Sequence, residues 1–239
     1  MRALSSAELL RVWERGLGYQ PLERALVVLS TTGEDDVDPA TLTMGERDAR
    51  LLTLREQTFG AGLTAIAVCP QCGEEIELSC HTNDLRTPPG SGEPLSLSDG
   101  GIDVEFRLPT SNDVRAATVV ADRDEFDVLL ARCIVRATRD GQSLDPLALP
   151  PAIVARVVEQ MGAADSQAEI MFDVSCEACG HRWDAPFDIE SFFWTELQAW
   201  AARLLAEVHQ LAAAYGWSEE AILGMSATRR HLYLNLLAE

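Results

Sequence analysis

Apolar residues recur at helical spacing from the start of the chain. Leu9, Leu10, Trp13 and Leu17 follow Ser5-Ser6, a pair able to cap a helix, and Gly16 and Gly18 mark its end. Pro21 suits the first turn of a second helix carrying Leu22, Ala25, Leu26 and Leu29 on one side. Gly33 to Pro39 is acidic and rich in breakers, which predicts a loop. A third helix is predicted from Met44 to Phe59, with Leu51, Leu52, Leu54 and Phe59 apolar and Arg47, Arg50 and Arg55 on a basic side.

The period then changes. Leu63 to Val68 reads as a strand, and Ile76, Leu78 and Cys80 alternate with Glu75, Glu77 and Ser79 as a second. Thr87 to Gly101 is rich in Pro, Gly and Ser and reads as a loop. Ile102, Val104, Phe106 and Leu108 alternate with polar residues as a half-buried strand. Helices are predicted from Ser111 to Val120, from Asp124 to Ala137 and after Pro150-Pro151, with a turn at Asp140-Gly141. Gly162 to Ser166 interrupts. Strands follow at Glu169 to Ser175 and Arg182 to Phe187. The longest helix runs from Ser191 to Tyr215, its stripe formed by Leu197, Trp200, Ala201, Leu204, Val208, Leu211 and Tyr215. Ser218 and Ser226 each cap a further short helix. This pattern predicts an α+β fold, mainly helical, with a small β element that carries a large helical insertion. The boundaries fall at 1–61, 62–109, 110–168, 169–190 and 191–239.

The β element holds the clearest chemistry. Cys69-Pro70-Gln71-Cys72-Gly73 and Cys176-Glu177-Ala178-Cys179-Gly180 each have the form of a zinc knuckle, in which two thiolates grip one ion from a tight turn. Two such turns supply the four ligands of one structural zinc: Cys69, Cys72, Cys176 and Cys179. A redox pair would need a helix start and a lowered thiol pKa, which neither turn suggests. Cys80-His81 and His181 are rival ligands. Neighbours on a strand point to opposite faces, so Cys80 and His81 together would need a break there. Cys80 reads instead as a small buried residue, Cys133 as a core thiol on an apolar helix side, and His181 as an exposed strand residue. His209 and His231 have no partner motif.

Composition narrows the function. Of 239 residues 47% are hydrophobic, enough for a sizeable core. Nineteen basic against 38 acidic residues give a net charge of −19, which argues against a nucleic-acid binder that works by neutralising phosphate. No apolar run approaches the ~20 residues of a membrane span. No signal peptide is visible at Met1-Arg2-Ala3-Leu4, so the six cysteines are expected to be reduced and metal binding outranks disulfides. The expected place is the cytoplasm. There is no phosphate loop, no nucleophile elbow and no His-x-Glu followed by Cys-x-x-Cys, so a zinc hydrolase or deaminase is disfavoured. A zinc-ribbon regulator or adaptor is the other reading, and the charge speaks against its binding DNA. Arg229-Arg230 reads as solvated charge or as a contact to an acidic neighbour. The stretch from Phe192 to Trp217 carries Trp194, Trp200 and Trp217, more than one helix face needs, though core packing is its default role.

Several short stretches, taken in order, resemble the T-even-phage-type baseplate protein family of contractile phage tails and related bacterial contractile injection systems. They are Leu9 to Gly16, Gly45 to Asp48 with Phe59-Gly60, and the first knuckle. Phe106 to Thr110 with Asp113, the second knuckle, and Tyr215 to Ser218 with Ile222-Leu223 and Arg229-Arg230 complete the series. The resemblance implies a non-enzymatic component of the baseplate or hub, or a factor that helps assemble it. Its partners would be other baseplate proteins and its place a phage tail-like particle. The paired cysteines would make it a zinc-stabilised version.

Overall fold

The computed structural model describes residues 2–32, 37–119 and 124–237. Residues 33–36 of the predicted acidic loop, and Val120 at the end of a predicted helix, lie outside them. In chain order the elements are α1 (Ser6–Gly16), α2 (Pro21–Thr32), α3 (Met44–Phe59), β1 (Gly62–Val68), β2 (Glu75–His81), β3 (Leu95–Asp99) and β4 (Ile102–Phe106). Then come α4 (Ser111–Val119), α5 (Glu125–Cys133), β5 (Ile134–Arg139), β6 (Gln142–Ser143), α6 (Pro151–Ala164), β7 (Ile170–Ser175) and β8 (Arg182–Phe187). The chain closes with α7 (Ile189–Tyr215), α8 (Glu219–Leu223) and α9 (Ala227–Leu237). At 56% helix and 20% strand, in small antiparallel sheets, the fold is α+β and mainly helical.

Two compact units divide the chain, one built from both ends (Met1–Glu34 with Glu190–Glu239) and one from the middle (Asp35–Ile189). In the first unit α1 opens with a capping box. The Ser5 hydroxyl accepts from the Glu8 N–H at 3.3 Å, and the Glu8 carboxylate accepts from the Ser5 N–H at 2.9 Å. On α7 the buried residues Phe193, Trp194, Leu197, Ala201, Leu204, Val208 and Leu211 follow steps of three and four. Ile222 of α8 completes a core with Leu204, Val208 and Leu211. The surplus aromatics are used inside the unit. Trp194 is buried under the Arg24 guanidinium, and Trp217 stacks on Tyr215 at 4.5 Å and meets Tyr233 edge-on at 4.8 Å. Arg230 departs from the expectation of solvated charge. It is 3% exposed and donates to Glu207 at 2.9 Å and to the Met225 carbonyl at 2.8 Å.

The middle unit is built on an antiparallel sheet of order β3-β4-β5-β6. Leu97, Ile102, Val104, Phe106, Ile134 and Ala137 form one buried face, packed with Leu130, Leu149, Ile153 and Val157 from the segments around it. Two predictions fail here. Leu95–Asp99 is a strand, not a loop; it is joined to β4 by a two-residue turn at Gly100-Gly101, both in the left-handed region. The helix predicted to Ala137 stops at Cys133, and β5 begins at once. A bulge causes the misreading. Phe106 pairs with Ile134 but Glu105 pairs with Arg136, which leaves Val135 extra and exposed. Ile134 and Ala137 therefore face the core three residues apart, a spacing that mimics a helix.

The basic side of α3 is also not solvated. Arg47 and Arg55 are buried; Arg47 pairs with Asp48 at 2.7 Å, and Arg55 donates to the Gly60 carbonyl at 2.7 Å. Two further polar locks tie distant segments. The Asp165 carboxylate, in the break after α6, accepts from the N–H of Gly45 at 2.9 Å and of Gly90 at 2.7 Å. Beside it the Gln167 amide accepts from the Thr87 N–H and donates to the Leu85 carbonyl. Gly45 is required by space, since a Cβ there would lie 1.8 Å from an Asp165 carboxylate oxygen.

The second lock gathers Arg107, Thr110, Asp113 and Arg132. The Asp113 carboxylate is 1% exposed and accepts from both Arg107 terminal nitrogens at 2.6 and 2.9 Å, from Arg132 at 2.9 Å, and from the Thr110 N–H and hydroxyl. Burial alone would push this carboxyl up. The Arg107 and Thr110 donors outweigh it and hold the group well below the usual carboxylate range. A depressed folded pKa gives stability that is fully present above the unfolded value, near pH 4, and is lost as pH falls below it. Asp113→Asn should therefore flatten the acid limb of the stability profile between about pH 5 and pH 3. Urea midpoints across that range check this, and an unchanged acid limb contradicts the assignment.

Candidate metal centre

Each knuckle is the tip of a two-stranded antiparallel hairpin, β1 with β2 and β7 with β8. The strands fix the direction and the turn fixes the thiols. In the first, the Cys69 N–H donates to the Glu74 carbonyl at 2.8 Å, and the Gly73 N–H to the Cys69 carbonyl at 2.9 Å. In the second, the Cys176 N–H donates to the His181 carbonyl at 2.8 Å, and the Gly180 N–H to the Cys176 carbonyl at 2.8 Å. The offsets are identical, so the two turns are local copies of each other. Gly73 and Gly180 have φ of 77° and 74°, a conformation that a Cβ would strain.

The four sulfurs come together. One sulfur atom from each of Cys69, Cys72, Cys176 and Cys179 lies within 4.8 Å of all the others. Across the turns, Cys69 Sγ is 3.7 Å from Cys179 Sγ, and Cys72 Sγ is 3.6 Å from Cys176 Sγ. Four sulfurs held about 2.3 Å from one ion at tetrahedral corners lie about 3.8 Å apart. A disulfide would need about 2.05 Å. The two cross-turn spacings are compatible with edges of a metal–thiolate tetrahedron. Each knuckle gives one buried cysteine, Cys69 or Cys176, and one exposed, Cys72 or Cys179.

The electrostatics agree. Burial pushes the Cys69 thiol up, but the N–H groups of Cys72 and Gln71 and the thiols of Cys72 and Cys179 bring it down to about 7. The Glu74 N–H favours the Cys72 thiolate, yet the Cys179 thiol, lost solvent, and the Cys176 and Cys69 thiols push it up to about 12. For Cys179 the His181 N–H favours the thiolate, while lost solvent and the thiols of Cys176 and Cys69 leave its pKa raised. The Cys69 thiolate forms readily here, and those of Cys72 and Cys179 resist. A cation at the centre would favour the thiolate forms.

The rival ligands lie elsewhere. Cys80 pairs with Leu63 at the far end of the first hairpin, five residues from Glu75 and so roughly 17 Å along the strand. It is half-buried rather than buried. His181 serves the turn through its backbone, and its ring stacks on Trp183 at 5.7 Å. Cys133 is buried, as expected, and burial pushes its thiol up to about 11. Asp165 and Gln167, which fix the segment leading into β7, carry no motif; only a polar pair in the break between α6 and β7 hints at them.

Four thiols this close together can supply all four ligands of one ion. The family comparison gives the class of protein. Residues 26–194 match the model of the T4 bacteriophage base plate protein family, a span that includes both knuckles and everything between them. The chain belongs to this family. No curated protein and no solved structure matches it at a significant level.

Proposed function

We propose that the chain is a structural or assembly component of the baseplate or hub of a contractile tail-like injection system. It acts by contacts with other baseplate proteins, with one zinc held as a clasp by Cys69, Cys72, Cys176 and Cys179. The observation that carries this reading is the convergence of four thiols, from turns more than 100 residues apart, at the edge lengths of a tetrahedron in a baseplate-family chain. Zinc is favoured because a closed four-thiolate tetrahedron suits an ion with no geometric preference of its own. The sites of expected contact are the chain's ends. No helix among the described residues is long and apolar enough to cross a membrane, so attachment through protein neighbours is preferred.

Two measurements test this. Native mass spectrometry of the purified protein should find one zinc per chain. A thiol-competing chelator, entering past exposed Cys72 and Cys179, should release it and make four further thiols titratable. A metal-free protein of full stability contradicts the clasp. Producing cells that lack the chain should make no complete contractile particles, and the wild-type chain should restore them. Normal particles in its absence contradict the baseplate role.

A further inference from the structure

The first unit carries a groove of about 560 Å³ lined from α1 and α8, within the 300–1,000 Å³ typical of ligand pockets. Its apolar lining comes from Ala7, Leu10, Leu223 and Gly224. Gly224 has a helical backbone with φ of −71°, so no turn geometry demands glycine there. A Cβ on it would meet only the carbonyls of the preceding turn, at 3.3 and 3.7 Å. The missing side chain keeps the groove open.

Its charged lining comes from Arg11, Glu14, Glu219 and Glu220, three carboxylates against one guanidinium. Arg11 Nε is turned onto the Ala7 carbonyl at 3.2 Å. Among the described residues no ion pair holds Glu14, Glu219 or Glu220. Other cations of the same unit are engaged elsewhere: Arg2 clamps Glu8 at 2.9 Å, Arg230 is buried on Glu207, and Arg229 lies over the Tyr233 ring. A second copy of the chain brings a net charge of −19 and is repelled.

We propose that this groove docks a segment of another baseplate protein that presents an apolar side chain beside Lys or Arg. The apolar anchor sits against Leu10 and Leu223, and the cation lies among Glu14, Glu219 and Glu220. Carboxylates at the rim of an apolar groove steer a basic partner and reject an acidic one. The inference rests on the scaffold reading, but its test uses purified protein and stands apart from particle assembly.

The probe is a synthetic 12-residue amphipathic peptide of Leu and Lys, with a Leu and Glu counterpart as control. It is titrated into the full chain labelled at Leu and Ile methyl groups. The basic peptide should shift Leu10 and Leu223, and the acidic one should not. Glu219→Gln with Glu220→Gln should weaken binding about tenfold. Glu75→Gln with Glu77→Gln, which removes equal charge from β2, should leave affinity within twofold. Gly224→Leu, which fills the groove, should abolish the Leu10 and Leu223 shifts while a cooperative thermal melt and an otherwise unshifted methyl spectrum show the fold intact. Shifts spread over other surfaces, or equal weakening by both charge pairs, overturn the proposal. So does a dimer in sedimentation equilibrium that Gly224→Leu dissolves, since that makes a second copy the occupant.

Discussion

Cys176→Ser should leave the protein without metal and lower its melting temperature by on the order of 10 °C. Cys176 is buried, and its sulfur lies 3.6 Å from that of Cys72, on the far side of a closed loop. A serine hydroxyl is a poor ligand for a soft thiolate site, and three thiols leave the tetrahedron open. The cost is large because of what the site closes. Its cross-turn sulfur pairs are separated by 104 and 110 residues, so the open chain has no preformed site, and the proposed ion's binding free energy would add to folding stability. Cys80→Ser, at the other end of the first hairpin, should keep the metal and the melting point. Metal analysis and calorimetry on the two variants separate the outcomes. A metal-loaded Cys176→Ser protein with wild-type melting would rule out the four-thiol assignment.

Asp165→Ala should cost on the order of 3 kcal/mol, read as a lowered urea midpoint. The carboxylate is 4% exposed and satisfies the N–H groups of Gly45 and Gly90, which lie 120 and 75 residues away in sequence. Removing it leaves two buried donors without an acceptor. Gly45→Ala should be comparably damaging, because its Cβ would be driven into the same carboxylate. The two changes share one cause, so the double variant should be much less destabilised than the sum of the singles. Simple additivity would show that the damage from Gly45→Ala does not arise from the clash with Asp165.

The sequence was most legible where one physical signal dominated. Repeated turn chemistry located the two Cys-x-x-Cys-Gly turns whose four thiols the fold brings together. Long apolar periodicity placed α1, α3 and α7. It failed where tertiary pairing overrode local pattern. The bulge at Val135 gave a strand the spacing of a helix, and a breaker-rich composition hid β3 despite the Gly100-Gly101 turn. Buried charge was the least visible. Arg47, Arg55 and Arg230 look like solvated side chains until their acceptors, supplied by the fold, are in place. Some of the stretches that carry the family resemblance fall on such locks: Gly45 on Asp165, and Arg107 and Thr110 on Asp113, inside the matched span, and Arg230 on Glu207, beyond it.

The split between the knuckles also sets a timetable. During synthesis Cys72 emerges 104 residues ahead of Cys176. At ribosomal speeds of about 5–20 residues per second, that is a gap of roughly 5 to 20 seconds. Throughout it the first turn stands as an open half-site with two free thiols. The proposed clasp can close only after the second turn has been made, so the whole insertion is synthesised before its base can be pinned.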